Sequence, residues 1–125
     1  MEHHPDTKVR RVLVVDDDQA SRELMTVLFH ECGWHCEVAA DGLEGIDKSI
    51  KEPFDLVLMD LRMPNLNGYG AAARIHAEKK DLPIFALSAY VMDYIPLKCR
   101  AAGMRGLIAK PIDVKLFRQW LAEFE

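Results

Sequence analysis

The sequence predicts an α/β protein in which five short strands alternate with five helices. Three observations lead to this prediction: short apolar runs rich in β-branched residues, longer amphipathic segments between them, and helix-capping residues at the boundaries. With 125 residues, half of them apolar, the chain is long enough to form one domain around one hydrophobic core. Alternation of strand and helix is typical of a parallel sheet that is covered on both faces.

Five apolar runs predict the strands. Residues 12–15 and 56–59 are uninterrupted apolar runs that each end at an aspartate, as expected of strands buried on both faces of a sheet. Residues 84–87 and 106–109 have the same apolar character, whereas residues 35–39 form a weaker strand. Buried strands of this kind are expected at the centre of a parallel sheet.

The segments between the apolar runs have the periodicity and the boundary residues of helices. The predicted helices cover residues 20–32, 41–51, 68–79, 95–102 and a last segment that follows Asp113. Asp41 and Asp113 are suitable N-cap residues, and Gly33 and Gly103 are suitable residues just beyond a helix C-terminus. The sequence alone does not fix the order of the strands, but right-handed crossovers reduce the possible orders. The simplest match is a doubly wound, flavodoxin-like (βα)5 fold, with a five-stranded parallel sheet in the order 2-1-3-4-5 and helices on both faces.

Composition excludes several classes of protein. The chain has 20 acidic residues against 16 Lys and Arg, a formal charge of −4, and no polybasic run, so we expect no direct binding of nucleic acid. No apolar run approaches the roughly 18 residues that span a bilayer, and three cysteines are too few for a disulfide scaffold. We expect a cytoplasmic domain at residues 9–125, with no membrane segment, after a flexible leader at residues 1–8 that lacks a secretory signal.

Side chains with functional chemistry follow four of the predicted strands. Asp16 and Asp17 follow the first strand, Asp60 the third, Ser88 the fourth and Lys110 the fifth. Because ligands bind beyond the carboxyl ends of the strands in an open parallel sheet, we expect these side chains to converge there. Crowded carboxylates repel one another unless a cation intervenes, and Mg²⁺ prefers oxygen ligands and leaves room for phosphate oxygens. The pattern therefore predicts a magnesium-dependent phosphoryl site.

These residues, together with Met63, Pro64, Gly68 and Pro111, resemble the motifs of a two-component response-regulator receiver domain. The resemblance extends over about residues 10–125, with the motifs in the family's order. It implies that Asp60 accepts a phosphoryl group from a phosphohistidine on a partner, either a histidine kinase or a histidine phosphotransfer protein. The sequence of the last third of the chain is most similar to that of receivers of hybrid histidine kinases or phosphorelays. A stand-alone regulator is the alternative.

The resemblance also implies a set of metal ligands. Asp17 and Asp60 would bind Mg²⁺ directly, together with the backbone carbonyl of Arg62. Asp16 would hold the same ion through water. The protein would then be a signalling phosphoacceptor and not an enzyme that turns over a separate substrate.

Three further expectations follow from the resemblance. Ser88 would move onto the phosphoryl group, and Lys110 would pair first with Asp60 and then with the phosphate. The Lys110–Pro111 peptide would be cis. The fourth helix, fifth strand and fifth helix would form the surface for output or for a homodimer. The chain departs from the family at Leu107, where an aromatic switch residue is common, so the aromatic half of the switch is not expected at that position.

A second family gives an alternative interpretation of the first strand. The run that ends at Asp16 and Asp18 resembles the Asp-x-Asp motif of haloacid-dehalogenase phosphatases, with Asp16 as nucleophile and Asp18 as acid and base. The final acidic motif of that family is absent, and Asp60 would have no role. The receiver interpretation is therefore favoured over a Mg²⁺-dependent phosphatase.

A dinucleotide-binding pattern is also present. Gly68, Gly70 and Ala73 match G-x-G-x-x-A, but that fingerprint must open a helix directly after a strand. Residues 61–67, which include a proline, separate it from the third strand. Close helix packing by small residues is therefore the better explanation of these positions.

The first predicted helix has apolar residues on more than one side. Packing against the sheet explains one apolar face of this helix. Methionine adapts well to varied binding surfaces, so we interpret Met25 and neighbouring Ser21 as part of the surface that docks a phosphohistidine-bearing partner.

Overall fold

The computed structural model describes residues 9–63, 66–90, 92 and 94–125. Five parallel strands form one sheet in the order β2-β1-β3-β4-β5, which confirms the predicted topology. The strands are β1 (Arg11–Val15), β2 (His35–Ala39), β3 (Leu56–Asp60), β4 (Ile84–Ser88) and β5 (Gly106–Ala109). The helices are α1 (Gln19–Glu31), α2 (Gly42–Lys51), α3 (Gly68–Glu78), α4 (Ile95–Ala101) and α5 (Val114–Phe124).

Side-chain caps fix where four of the helices begin. Asp18, Asp41, Asn67 and Asp113 each accept a hydrogen bond from the backbone N–H three residues later, at 2.8–3.1 Å. Such a cap satisfies one of the N–H groups that the first turn leaves unpaired. Helix α4 has no side-chain cap and begins instead with Pro96 in its first turn, where a proline costs little.

The sheet separates two apolar layers. Leu13 and Val15 of β1 face the layer formed with α2, α3 and α4, whereas Val12 and Val14 face the layer formed with α1 and α5. All four side chains are fully buried, because both faces of a central parallel strand are covered. The side chains that the sequence predicted for the site lie at the carboxyl edge of the sheet.

The interpretation of Met25 as a docking residue is wrong. Its side chain is only 1 % exposed and packs in the layer beneath α1 with Leu28 and Phe29, at the spacing that places residues on one helix face. The apolar side chains of α1 that reach the surface are Leu24, at 40 % exposure, and Val27, at 55 %. These two residues are the large apolar side chains that α1 offers to a partner.

No helix in the part of the chain that the structure describes is long and apolar enough to cross a membrane. Helix α1, the longest of those described, has 13 residues, whereas a transmembrane helix needs about 20. The helices are instead amphipathic, with one face on the sheet.

A pair of substitutions tests the orientation of α1. Met25→Ala should lower the free energy of unfolding by about 2–5 kcal/mol, because it leaves a cavity in the core. Leu24→Ala, on the exposed face of the same helix, should cost less than about 0.5 kcal/mol. Urea denaturation of both variants measures the difference. Equal losses would show that Met25 is not a core residue.

Candidate functional site

Parallel register brings the acidic strand ends together. Val15 pairs with Met59 across β1 and β3, so the residues that follow them, Asp16 and Asp60, lie side by side. Asp17 is next along the chain and is exposed. Carboxylate oxygens of the three aspartates lie within 4.8 Å of one another. The convergence predicted for the three acids is thus present in the fold.

Lys110 enters this acidic cluster from the end of β5. Its Nζ lies 2.8 Å from Oδ2 of Asp16 and 3.4 Å from Oδ2 of Asp60. Burial lowers the pKa of Lys110, but the hydrogen bond to Asp16 and the charges of both carboxylates outweigh burial, so its pKa is raised overall. Lys110 is therefore held in the ammonium form between two carboxylates.

Asp16 is the fully buried member of the cluster. One carboxylate oxygen accepts the Asp18 N–H at 3.0 Å, and the other accepts from Lys110. The Arg22 guanidinium donates to the backbone carbonyl of Asp16 at 2.8 Å. Both carboxylate oxygens of Asp16 are thus occupied by donors of the protein itself.

Asp60 is less completely neutralised. Its side chain accepts the Arg62 N–H at 3.1 Å and lies at the longer of the two distances from Lys110. Burial and, to a smaller extent, the charge of Asp16 raise the pKa of the Asp60 carboxyl, and they outweigh the lowering effects of the Arg62 N–H and Lys110, so that its pKa is about 6. The fold therefore holds this carboxylate in a state that an additional cation would stabilise.

The side chains fit a hard divalent cation. Asp16, Asp17 and Asp60 supply oxygen donors, and the one ammonium group in contact with this cluster pairs with Asp16 and Asp60 only. Mg²⁺ prefers such oxygen ligands and keeps several water molecules, which the exposure of Asp17 permits. Within the described ranges, this is the only group of three or more acidic, His or Cys side chains close enough to bind one ion.

Comparison with known proteins identifies the family. The sequence model described as the response regulator receiver domain matches residues 12–122. The chain belongs to the response regulator receiver domain family.

Curated relatives of this receiver domain are much longer proteins. The sensor histidine kinase RcsC of Salmonella typhimurium is 31 % identical over 113 residues, and the histidine-protein kinase BarA of Escherichia coli K12 is 31 % identical over 116 residues. The alignments cover 90 % and 91 % of this chain but only 12 % and 13 % of those proteins. The expected similarity to receivers of histidine kinases is confirmed.

Solved structures show the same fold. The chemotaxis protein CheY4 of Vibrio cholerae superimposes with a TM-score of 0.87 at 26 % identity, covering 93 % of this chain and 98 % of that one. The receiver domain of the sensor histidine kinase PA1611 from Pseudomonas aeruginosa has a TM-score of 0.84 at 27 % identity, covering 93 % and 97 %. That structure holds a magnesium ion in its active site cleft.

In this receiver domain, Ser88 lies at the end of β4 and is 3 % exposed. Its hydroxyl donates to the backbone carbonyl of Tyr90 at 2.8 Å and accepts the Tyr90 N–H at 3.0 Å. The Arg62 guanidinium lies over the Tyr90 ring, 4.7 Å from its centroid. The sequence predicted Ser88 at this edge, but no pattern in it indicated the contact between Arg62 and Tyr90.

Position 68 must be glycine because its backbone lies very close to that of Asp60, the candidate phosphoacceptor. A Cβ atom at Gly68 would lie 2.1 Å from the carbonyl oxygen of Asp60, which no side chain tolerates. A Cβ atom at Gly70 would lie 2.9 Å from the Leu66 side chain. Close packing therefore explains Gly68 of the G-x-G-x-x-A pattern without a nucleotide, whereas Ala73 of the same pattern is exposed.

Two other expectations concern β5 and the residues after it. The Lys110–Pro111 peptide is cis, as the family resemblance implied. Leu107 is half-buried and packs against the core layer of α2, α3 and α4. Pro64 of the predicted motif lies outside the described residues.

Asp18, the acid and base of the phosphatase alternative, has a structural role instead. The carboxylate of Asp18 caps α1 by accepting the Ser21 N–H at 2.9 Å, and this hydrogen bond lowers its pKa. Asp16, the nucleophile in that alternative, is fully buried and bound to Lys110. Asp60, which that alternative leaves without a role, lies at the centre of the site.

The pairing of Lys110 with buried Asp16 has a measurable consequence. Lys110→Met should lower the free energy of unfolding by about 3–5 kcal/mol, because it leaves a buried carboxylate without its ammonium partner. The control is Lys51→Met, which removes an exposed pair with Asp47 at 2.9 Å and should cost less than about 1 kcal/mol. Chemical denaturation compares the two variants. A loss no larger than that of the control would refute the buried pairing.

Proposed function

We propose that this receiver domain accepts a phosphoryl group on the carboxylate of Asp60 from a phosphohistidine of a partner protein. The partner class is a histidine kinase or a histidine phosphotransfer protein. The observation on which the proposal depends is the position of Asp60: a nearly buried carboxylate, 7 % exposed, between Lys110 and two other acids. The family of the chain and the relatives among sensor kinases support this assignment.

In the proposed reaction, a carboxylate oxygen of Asp60 attacks phosphorus while the P–N bond to the imidazole breaks. An acyl phosphate forms on Asp60, and the imidazole, protonated on its second ring nitrogen before transfer, takes the P–N electron pair and leaves as the neutral ring. Phosphoryl transfer depends mainly on positioning and on neutralising the phosphoryl oxygens. Lys110 supplies one positive charge, and the fold holds it within reach of Asp60 before transfer.

Mg²⁺, when bound, would supply the larger share of charge neutralisation at the phosphoryl oxygens. We propose Asp17, Asp60 and the Arg62 backbone carbonyl as direct ligands, with Asp16 holding the ion through water. Asp16 fits the indirect role because both of its carboxylate oxygens already accept hydrogen bonds from the protein. Asp17 fits a direct role because its side chain is exposed at the edge of the cluster.

The proposal also covers the extent of the domain, its location, its self-association and its signalling role. We propose that the receiver domain covers residues 9–125 and that it is cytoplasmic. The leader at residues 1–8 lies outside the described residues.

A homodimer through α4, β5 and α5 would bury Leu97 and Leu116, which are 67 % and 61 % exposed. The signalling role is that of a phosphoacceptor, which catalyses only its own phosphorylation and dephosphorylation.

Intact-mass spectrometry tests the phosphoacceptor. After incubation with a small acyl phosphate and Mg²⁺, the protein should gain the mass of one phosphoryl group, and Asp60→Asn should gain none. Asp47→Asn, an exposed position on α2, is the matched control and should be phosphorylated like the wild type. An adduct that persists in Asp60→Asn, or its absence from the wild type, would refute the proposal.

A further inference from the structure

Arg22 reaches from helix α1 back to the loop that carries the acidic residues. It lies one turn into the helix, and its side chain runs toward the helix N-terminus, as helical side chains do. Its guanidinium donates to the backbone carbonyl of Asp16 at 2.8 Å, and its backbone N–H donates to the carbonyl of Asp18 at 3.1 Å. Arg22 is thus joined to both ends of the loop at residues 16–18.

The Asp16 carbonyl depends on this side chain for its hydrogen bond. Asp16 lies between β1 and α1, and in the part of the chain that the structure describes no backbone N–H donates to its carbonyl. The residue is fully buried, where a carbonyl without a donor is costly. The Asp16 N–H donates to the Ala39 carbonyl at 3.0 Å, and both carboxylate oxygens accept hydrogen bonds. With Arg22, every polar group of Asp16 has a partner.

The position of Asp17 depends on the same peptide. The Asp16 carbonyl and the Asp17 N–H belong to one planar peptide unit, so a donor on the carbonyl oxygen fixes the orientation of the plane from which Asp17 begins. The Asp17 side chain is exposed, and the hydrogen bonds of this loop go to its neighbours, Asp16 and Asp18. The backbone therefore sets the direction in which Asp17 enters the acidic cluster.

Metal ligands are commonly oriented by partners that do not touch the ion. Loss of such a partner typically lowers metal affinity about 10–100-fold. Mg²⁺ is sensitive to misplaced ligands because it demands near-ideal octahedral geometry. For Asp17, the partner of this kind is the guanidinium of Arg22, which acts through one peptide group.

The charge of Arg22 acts in the opposite direction. A guanidinium stays protonated in proteins, and this one lies beside a cluster of three carboxylates. By Coulomb repulsion alone, a positive charge at this place weakens the binding of a cation, so its removal should strengthen that binding. The sign of the change in Mg²⁺ affinity therefore distinguishes positioning from electrostatics.

We propose that Arg22 is a positioning residue of the metal site, and that its guanidinium presents Asp17 to Mg²⁺ by holding the Asp16–Asp17 peptide. This inference rests on the proposed function, in which Asp17 is a direct ligand. It gives α1 a part in the site besides its packing on the sheet.

A nitrogen-15 NMR titration with MgCl2 at constant ionic strength tests the proposal. Arg22→Met keeps the aliphatic part of the side chain and should raise the dissociation constant for Mg²⁺ about 10–100-fold. It should also shift the Asp17 amide signal before any metal is added, because the Asp16–Asp17 peptide has lost a donor. Arg22→Lys keeps a charged donor without the planar guanidinium, so its dissociation constant should lie between those of the wild type and Arg22→Met.

The matched control is Arg118→Met. It removes an exposed guanidinium that pairs with Glu31 at 2.8 Å, and it should change neither the Mg²⁺ affinity nor the Asp17 signal. Unchanged or tighter Mg²⁺ binding by Arg22→Met would refute the positioning role and leave the proposed function intact. If Arg22→Met does not fold, Arg22→Lys decides, and a wild-type dissociation constant in that variant would refute the role. If the wild type binds no Mg²⁺, the metal site of the proposed function fails, and the role of Arg22 fails with it.

Discussion

One ammonium group, that of Lys110, contacts two of the three clustered carboxylates at the carboxyl edge of the sheet. It lies closest to Asp16, which is fully buried and takes the shorter contact of 2.8 Å. Asp60 is left with a weaker contact at 3.4 Å and a pKa raised to about 6, mainly by burial. The site therefore holds more negative charge than its own cation neutralises. The proposed binding of Mg²⁺ and the phosphoryl transfer proposed at Asp60 both depend on this imbalance.

The fold creates this arrangement by topology. Parallel strands end at the same edge, and the register between β1 and β3 makes Asp16 and Asp60 neighbours although 43 residues lie between them. Asp18 fixes the connection between β1 and α1 by two hydrogen bonds: its N–H donates to Asp16, and its side chain caps α1. Gly68 allows α3 to begin against the Asp60 carbonyl. The elements around the site thus fix the positions of its acidic side chains.

Most of the fold could be predicted from local sequence. Uninterrupted apolar runs and caps such as Asp41 and Asp113 located the elements to within one or two residues, because those signals act over a few neighbouring residues. Asp60 and Lys110 were identified as site residues because strand ends meet at one edge in this topology. Met25 was misassigned because an apolar residue on a helix has the same pattern whether it faces the core or a partner. The contact between Arg62 and Tyr90 could not be predicted, since it depends on the course of two loops that no periodicity describes.

Thermodynamic stability with and without Mg²⁺ tests the charge imbalance most directly. A raised carboxyl pKa means that ionised Asp60 destabilises the folded state, so metal-free stability should fall as the pH rises from about 4 to about 6. At neutral pH without metal, Asp60→Asn should therefore be more stable than the wild type by about 1–3 kcal/mol. Adding Mg²⁺ should stabilise the wild type more than the variant and close the gap. A less stable Asp60→Asn, or equal stabilisation of both proteins by Mg²⁺, would contradict the central claim.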